Sequence, residues 1–126
     1  MKDLFVPYQQ SLELRELGFD EICLTHYWGE NILNEAYGGW MKNSNTKYVM
    51  APTWEQAFKW LRENYNTLAT IYSNASGYLY EWHDTVGGTH RGWSEYEGPN
   101  DSGVWDTYEE AKLACITKLI EIVKTK

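Results

Sequence analysis

The sequence predicts an α+β fold in which three helices are packed on a mainly antiparallel sheet of about five short strands. Three observations predict it. Two segments open with the same helix-start chemistry, Thr53-Trp54-Glu55-Gln56 and Thr107-Tyr108-Glu109-Glu110, in which a threonine caps the helix and Gln or Glu follows three residues later. A third segment closes on Gly18-Phe19, the ending of a helix whose last turn passes through a left-handed residue. Between Leu68 and Tyr96 the pattern changes to aromatic and β-branched runs broken by turn residues, which is how a meander of antiparallel strands reads. At 126 residues the chain is near the commonest domain size, so residues 1–126 are expected to form one domain with a sufficient core.

The first helix is expected over Pro7–Leu17, because proline suits the first helical position, where its missing N–H costs nothing. At its end Gly18 takes the left-handed position, and Phe19 folds back onto Leu14. Ile22–Trp28, rich in β-branched and aromatic residues, reads as a strand. Residues 29–45, with Gly38-Gly39 and Asn43-Ser44-Asn45, read as a long loop, and Lys47–Met50 as a second short strand.

The second helix starts at the Thr53 cap. Its apolar residues Trp54, Ala57, Phe58, Leu61 and Tyr65 recur at helical spacing along one face. Strands follow at Leu68–Ser73, Tyr78–His83 and Arg91–Glu97, the first two joined by the turn Asn74-Ala75-Ser76-Gly77. Gly98-Pro99-Asn100-Asp101-Ser102-Gly103 is a loop signal. In the third helix Ala111, Ala114, Cys115, Leu119 and Ile122 form a stripe that Leu113, Ile116, Ile120 and Val123 widen until most of the helix is apolar. Such a helix lies across a sheet or within an interface, and with seven Trp in the chain it leads to an expectation of self-association. The two matching caps are read as independent uses of one capping chemistry rather than as a duplicated unit, since nothing beyond them matches.

Charge narrows the partners. The formal net charge is −7, and residues 78–106 hold Glu81, Asp84, Glu95, Glu97, Asp101 and Asp106 against Arg91 alone. Such a surface repels phosphate backbones and attracts cations, so no long nucleic acid is expected as a partner. No stretch approaches the roughly 18 apolar residues of a membrane span. The start MKDLFVPYQQ lacks the apolar run of a secretory signal. Cys23 and Cys115 stand far apart and outside any C-x-x-C spacing, which suits reduced core residues of a cytoplasmic protein. The sequon Asn74-Ala75-Ser76 then has no meaning.

Three segments, FVPYQQSLELRELGFDE (Phe5–Glu21), PTWEQAFKWLRENYN (Pro52–Asn66) and DTYEEAKLACITKLIEIVK (Asp106–Lys124), resemble in order and spacing a family of short proteins found in phages and prophages of the Bacteroidetes. They cover a little under half the chain. The resemblance implies a phage-associated protein of the host cytosol. It carries over no activity and no functional residues, and it leaves the intervening segments as the place for a specific function.

Catalytic chemistry is not evident in the sequence, which leans away from an enzyme. His83, Asp84 and His90 lack the short, repeated spacing of a zinc site, so no metal or cofactor is expected. Cys115 lies in an apolar stripe that makes it inert, and no G-x-S-x-G elbow is present. Gly87-Gly88-Thr89-His90-Arg91-Gly92 lacks the Lys-Ser/Thr of a phosphate loop and reads as a hairpin turn. The strand carboxylates Glu81, Glu95 and Glu97 leave a small hydrolase as a third reading.

The candidate binding residues are the aromatic cluster Tyr78, Tyr80, Trp82, Trp93, Tyr96 and Trp105 with Arg91. Tyr78, Tyr80 and Trp82 share one face of their strand. If Leu79 faces the helices, these rings form an open aromatic surface with an acidic rim, of the kind that anchors partners. The leading expectation is a non-enzymatic binding protein, a host-interaction or counter-defence accessory that sequesters a host protein with a basic surface. The alternative is a sponge that holds a small nucleotide signal among the rings, its phosphate met by Arg91, Lys42 or Lys47.

Overall fold

In a computed structural model the structure describes residues 4–29, 32–33, 49–84, 90–93, 98–100 and 103–125. The chain groups into two compact units, Met1–Trp60 and Leu61–Lys126. Among the described residues there are three helices and two three-stranded antiparallel sheets. The α+β class is as expected, whereas the strands form two sheets in place of one. The split follows from chain order. Each sheet is built from strands close in sequence, and a twelve-residue helix separates the third strand from the fourth.

The first unit begins with α1 (Tyr8–Glu16). Pro7 stands at the cap, one position before the expected one, with extended backbone (φ −57°, ψ 159°). The exit is the expected one. The Phe19 N–H donates to the Leu14 carbonyl at 3.0 Å and the Gly18 N–H to the Arg15 carbonyl at 3.0 Å, with Gly18 at φ +107°, a Schellman ending. Phe19 is thereby delivered into the core, 2% exposed, where its ring meets Trp60 edge-on at 5.4 Å.

The sheet of this unit has the order β2-β1-β3, from β1 (Thr25–Gly29), β2 (Ile32–Leu33) and β3 (Val49–Ala51). β2 falls inside the stretch expected as loop and pairs back onto β1. The rest of that loop lies outside the described residues. Phe5, Tyr27, Val49 and Ala51 form a core cluster, with Tyr8, Leu12 and Leu24 packed against it. One acceptor organises it: the Val6 carbonyl receives the Tyr27 hydroxyl at 2.7 Å and the Ser11 hydroxyl at 3.0 Å, so both buried hydroxyls are satisfied.

α2 (Trp54–Tyr65) carries the chain from the first unit to the second. Its start is half the expected capping box. The Gln56 N–H donates to Thr53 Oγ1 at 3.2 Å, but the Gln56 side chain donates instead to the Ile22 carbonyl at 2.9 Å. The helix stops at Asn66, which adopts φ +53°, a left-handed conformation that asparagine tolerates better than most residues.

The second unit holds β4 (Thr67–Asn74), β5 (Gly77–Asp84), β6 (His90–Trp93) and α3 (Tyr108–Lys124), with sheet order β4-β5-β6. α3 lies against β4 and β5. At its Thr107 cap, Thr107 Oγ1 accepts from the Glu110 N–H at 3.1 Å and donates to Glu110 Oε1 at 2.9 Å. Ala111, Cys115, Ile116, Leu119, Ile120 and Val123 are buried, whereas Leu113 is 36% exposed among Glu109, Thr117, Glu121 and Lys124, all exposed. The apolar breadth of this helix is therefore spent largely within the fold. Its exposed side does not support the self-association expected from it.

Candidate functional site

The turn sets the geometry of the second unit's sheet. Asn74 Oδ1 accepts the Ser76 and Gly77 N–H groups at 2.8 and 3.1 Å, an Asx turn that local side-chain chemistry specifies. It pairs Asn74 with Gly77 and so brings Ile71 opposite Tyr80 and Ala69 opposite Trp82, with Tyr72 opposite Leu79, Thr70 opposite Glu81 and Leu68 opposite His83. Since alternate residues share a face, two distinct faces follow.

The first face carries Tyr78, Tyr80 and Trp82, together with Thr67, Ala69 and Ile71, and it is the covered one. On β4, Thr67 is buried and Ala69 and Ile71 are half-buried, while Leu68, Thr70 and Tyr72 are exposed. The Tyr78 ring meets the ring of Tyr108, the first residue of α3, edge-on at 6.2 Å. Tyr80 is 2% exposed and its ring lies 5.8 Å from that of Trp105. Trp82 and Trp105 are half-buried. The condition under which these rings would look outward, Leu79 turned toward the helix, is thus not met. Tyr80 is core, and a nucleotide pocket built around its open ring loses that wall.

The long loop before α3 contributes to this packing. Trp105 forms an isolated antiparallel bridge with Tyr78. The Tyr78 N–H donates to the Trp105 carbonyl at 2.9 Å and the Trp105 N–H returns to Tyr78 at 3.0 Å. The loop itself is internally bonded, through the Gly98 N–H to the Gly103 carbonyl at 2.9 Å and the Asn100 N–H to the Val104 carbonyl at 3.1 Å.

The second face is open along β4 and partly covered along β5. Leu68 and Tyr72 are 39% and 37% exposed, Thr70 between them is exposed, Glu81 and His83 are half-buried, and Leu79 is buried. Through β6, Trp93 stands in register with Glu81 and Arg91 with His83. Across β4 and β5 the face is therefore made of the rows Tyr72–Leu79, Thr70–Glu81 and Leu68–His83. Of the candidate binding residues, Tyr78, Tyr80, Trp82 and Trp105 belong to the covered side, and the backbones of Arg91 and Trp93 pair in register with His83 and Glu81. Tyr96 lies outside the described residues. Leu68, Thr70 and Tyr72 are not singled out by the sequence, because apolar residues occupy both faces of β4 and alternation does not choose between them.

The chemistry of the open face is that of contact. His83 Nε2 lies 2.6 Å from Glu81 Oε1, so this carboxylate is engaged with an imidazole. Glu95 and Glu97, its expected partners in hydrolysis, lie outside the described residues. No group of three or more His, Cys, Asp or Glu that could hold a metal occurs among the described residues. Burial pushes the Cys115 thiol up to about 12, and burial with the nearby Glu21 carboxylate does the same for Cys23, which leaves both as free, buried, unreactive thiols. No helix among the described residues is long and apolar enough to cross a membrane.

His26, on β1 and 4% exposed, has its pKa lowered from 6.5 by burial. A group whose folded pKa is depressed below its unfolded value binds more protons when unfolded, so stability falls as pH drops. Stability is expected to be level above about pH 6.5 with respect to this group, and to decline below it with a slope of at most about 1.4 kcal/mol per pH unit. Urea unfolding between pH 8 and pH 5 checks this. A His26→Leu variant should lose that component of the slope, and an unchanged slope would remove His26 as its source.

In comparisons with protein-family models, curated proteins and solved structures, nothing matches this chain.

Proposed function

We propose that this chain is a non-enzymatic binding protein that engages a protein partner of basic surface through the open face of the β4-β5-β6 sheet. The observation that carries this reading is Leu68 and Tyr72, 39% and 37% exposed, on a regular strand beside Thr70 and the Glu81–His83 pair. Apolar and aromatic groups held on a rigid sheet surface bind at low entropic cost. The net charge of −7 favours encounter with a cationic partner. With the resemblance of the three helical segments to phage and prophage proteins, the partner is a host component and the chain a host-interaction or counter-defence accessory.

The test is a pull-down from host lysate with the wild type and a Leu68→Ser/Tyr72→Ser double variant. The expected result is a partner retained by the wild type, released progressively by salt and lost from the double variant while its fold, read by circular dichroism, is unchanged. Retention by the double variant, or indifference to salt, would overturn the assignment of this face.

A further inference from the structure

Among the described residues no strand pairs with the outer edge of this sheet. β4 is an edge strand, and its register with β5 runs unbroken from Thr67↔Asp84 to Asn74↔Gly77, so no bulge interrupts it. From Asn64 to Tyr80 the sequence contains neither a charged residue nor a proline. Edge strands of natural proteins are usually blunted by lysine, proline, a bulge or shortness, because a bare edge is a template for another strand.

The backbone groups that this edge presents follow from the loop contact on the other side of β5. Tyr78 exchanges both of its backbone hydrogen bonds with Trp105 and therefore points away from β4. Residues directly opposite in an antiparallel pair point both toward or both away from each other. Ser73, opposite Tyr78, thus directs its N–H and C=O to the free edge, as do Ile71 and Ala69 by alternation. Among the described residues these groups have no backbone partner on that side.

We propose that β4 pairs antiparallel with β4 of a second copy of this chain, with Thr70 on the two-fold axis, joining the two three-stranded sheets into one. In that register Ala69 lies opposite Ile71 of the second copy, and each forms a hydrogen-bonded pair from groups that already point outward. Leu68 lies opposite Tyr72, and Thr70 opposite Thr70, in the non-hydrogen-bonded pairs where side chains approach most closely. Both apolar contacts occur twice, since an isologous interface repeats every contact. The two exposed large apolar residues of β4 therefore meet each other.

Charge selects the occupant. Copies that each carry −7 repel wherever acidic surfaces meet, but along this strand there is no charge to oppose. For a basic segment the same edge offers no carboxylate, as the nearest acids in sequence are Glu63 and Glu81. One strand buries a small interface, so the dimer is weak and its formation depends on micromolar concentration. The inference rests on the edge of β4 and not on the binding role of the face.

Analytical ultracentrifugation of the full chain from about 1 to 300 μM, a range that brackets weak association, tests it. The expected result is a mass rising from that of the 14.8 kDa monomer toward twice that value, and rising further with added salt as repulsion is screened. Thr70 is exposed, so Thr70→Lys and Thr70→Glu leave the core intact. Each places like charges opposite each other and is expected to weaken association about tenfold or more. An equimolar mixture of the two variants is expected to restore it by setting Lys opposite Glu. A wild type monomeric across the whole range, variants that associate as the wild type does, or a mixture no tighter than its components would overturn it.

Discussion

Truncating Tyr80 to alanine is expected to destabilise the chain by about 3–5 kcal/mol, whereas the same change at Tyr72 is expected to cost under about 1 kcal/mol. The two tyrosines sit on adjacent strands of one sheet, one residue apart in register, since Tyr80 pairs with Ile71 and Tyr72 with Leu79. What separates them is the face. Tyr80 is 2% exposed, with its ring 5.8 Å from that of Trp105, so its removal leaves a void bounded by groups that cannot collapse freely. Tyr72 is 37% exposed and leaves only surface. Urea unfolding of both variants measures the difference. Equal costs, or a Tyr80 cost below about 1 kcal/mol, would mean that the covered side of the sheet has been assigned wrongly. In that case the aromatic surface expected from the sequence would return as the candidate site.

Gly98→Ala carries the other large effect, a loss of about 2–4 kcal/mol. A Cβ at this position would lie 2.5 Å from the carbonyl carbon and oxygen of Val104 and 2.7 Å from the Gly103 carbonyl carbon. All three obstacles are backbone, so no side-chain rotation relieves them. The loop must open, and it is this loop that buries Val104 fully and presents Trp105 to Tyr78. Gly77 faces the same segment from the strand side, where a Cβ would meet the Trp105 carbonyl oxygen at 2.6 Å. The expected signature of Gly98→Ala is a fall in the unfolding midpoint together with a change in near-ultraviolet circular dichroism from the Tyr80–Trp105 contact. A variant with wild-type stability would show that the approach of Gly98 to Val104 is not a feature of the folded chain.

The two capping boxes show how far local chemistry reaches. Thr53-Trp54-Glu55-Gln56 and Thr107-Tyr108-Glu109-Glu110 both start helices at the expected residues, because a threonine oxygen placed before a free N–H acts within one turn. Their fourth residues nevertheless diverge. Glu110 returns to Thr107, while Gln56 is drawn to the Ile22 carbonyl, an acceptor 34 residues away in sequence that no local reading supplies. β2 is illegible in the sequence for a related reason. Two residues paired back onto β1 leave no periodicity to detect.

Legible in the residues alone are the three helices, the Schellman ending at Gly18, the Asn74–Gly77 turn and hence the pairing of β4 with β5, because each depends on bonds closed within a few residues. The net charge of −7 is likewise a property of composition alone. Which side of the aromatic strand is covered depends instead on long-range packing. Tyr78, Tyr80 and Trp82 on one side and Leu79 on the other are all apolar enough to be buried, so the pattern is degenerate. The choice is made by α3 and by the Gly98–Trp105 loop, which cover the tyrosine side and leave Leu68, Thr70 and Tyr72 exposed.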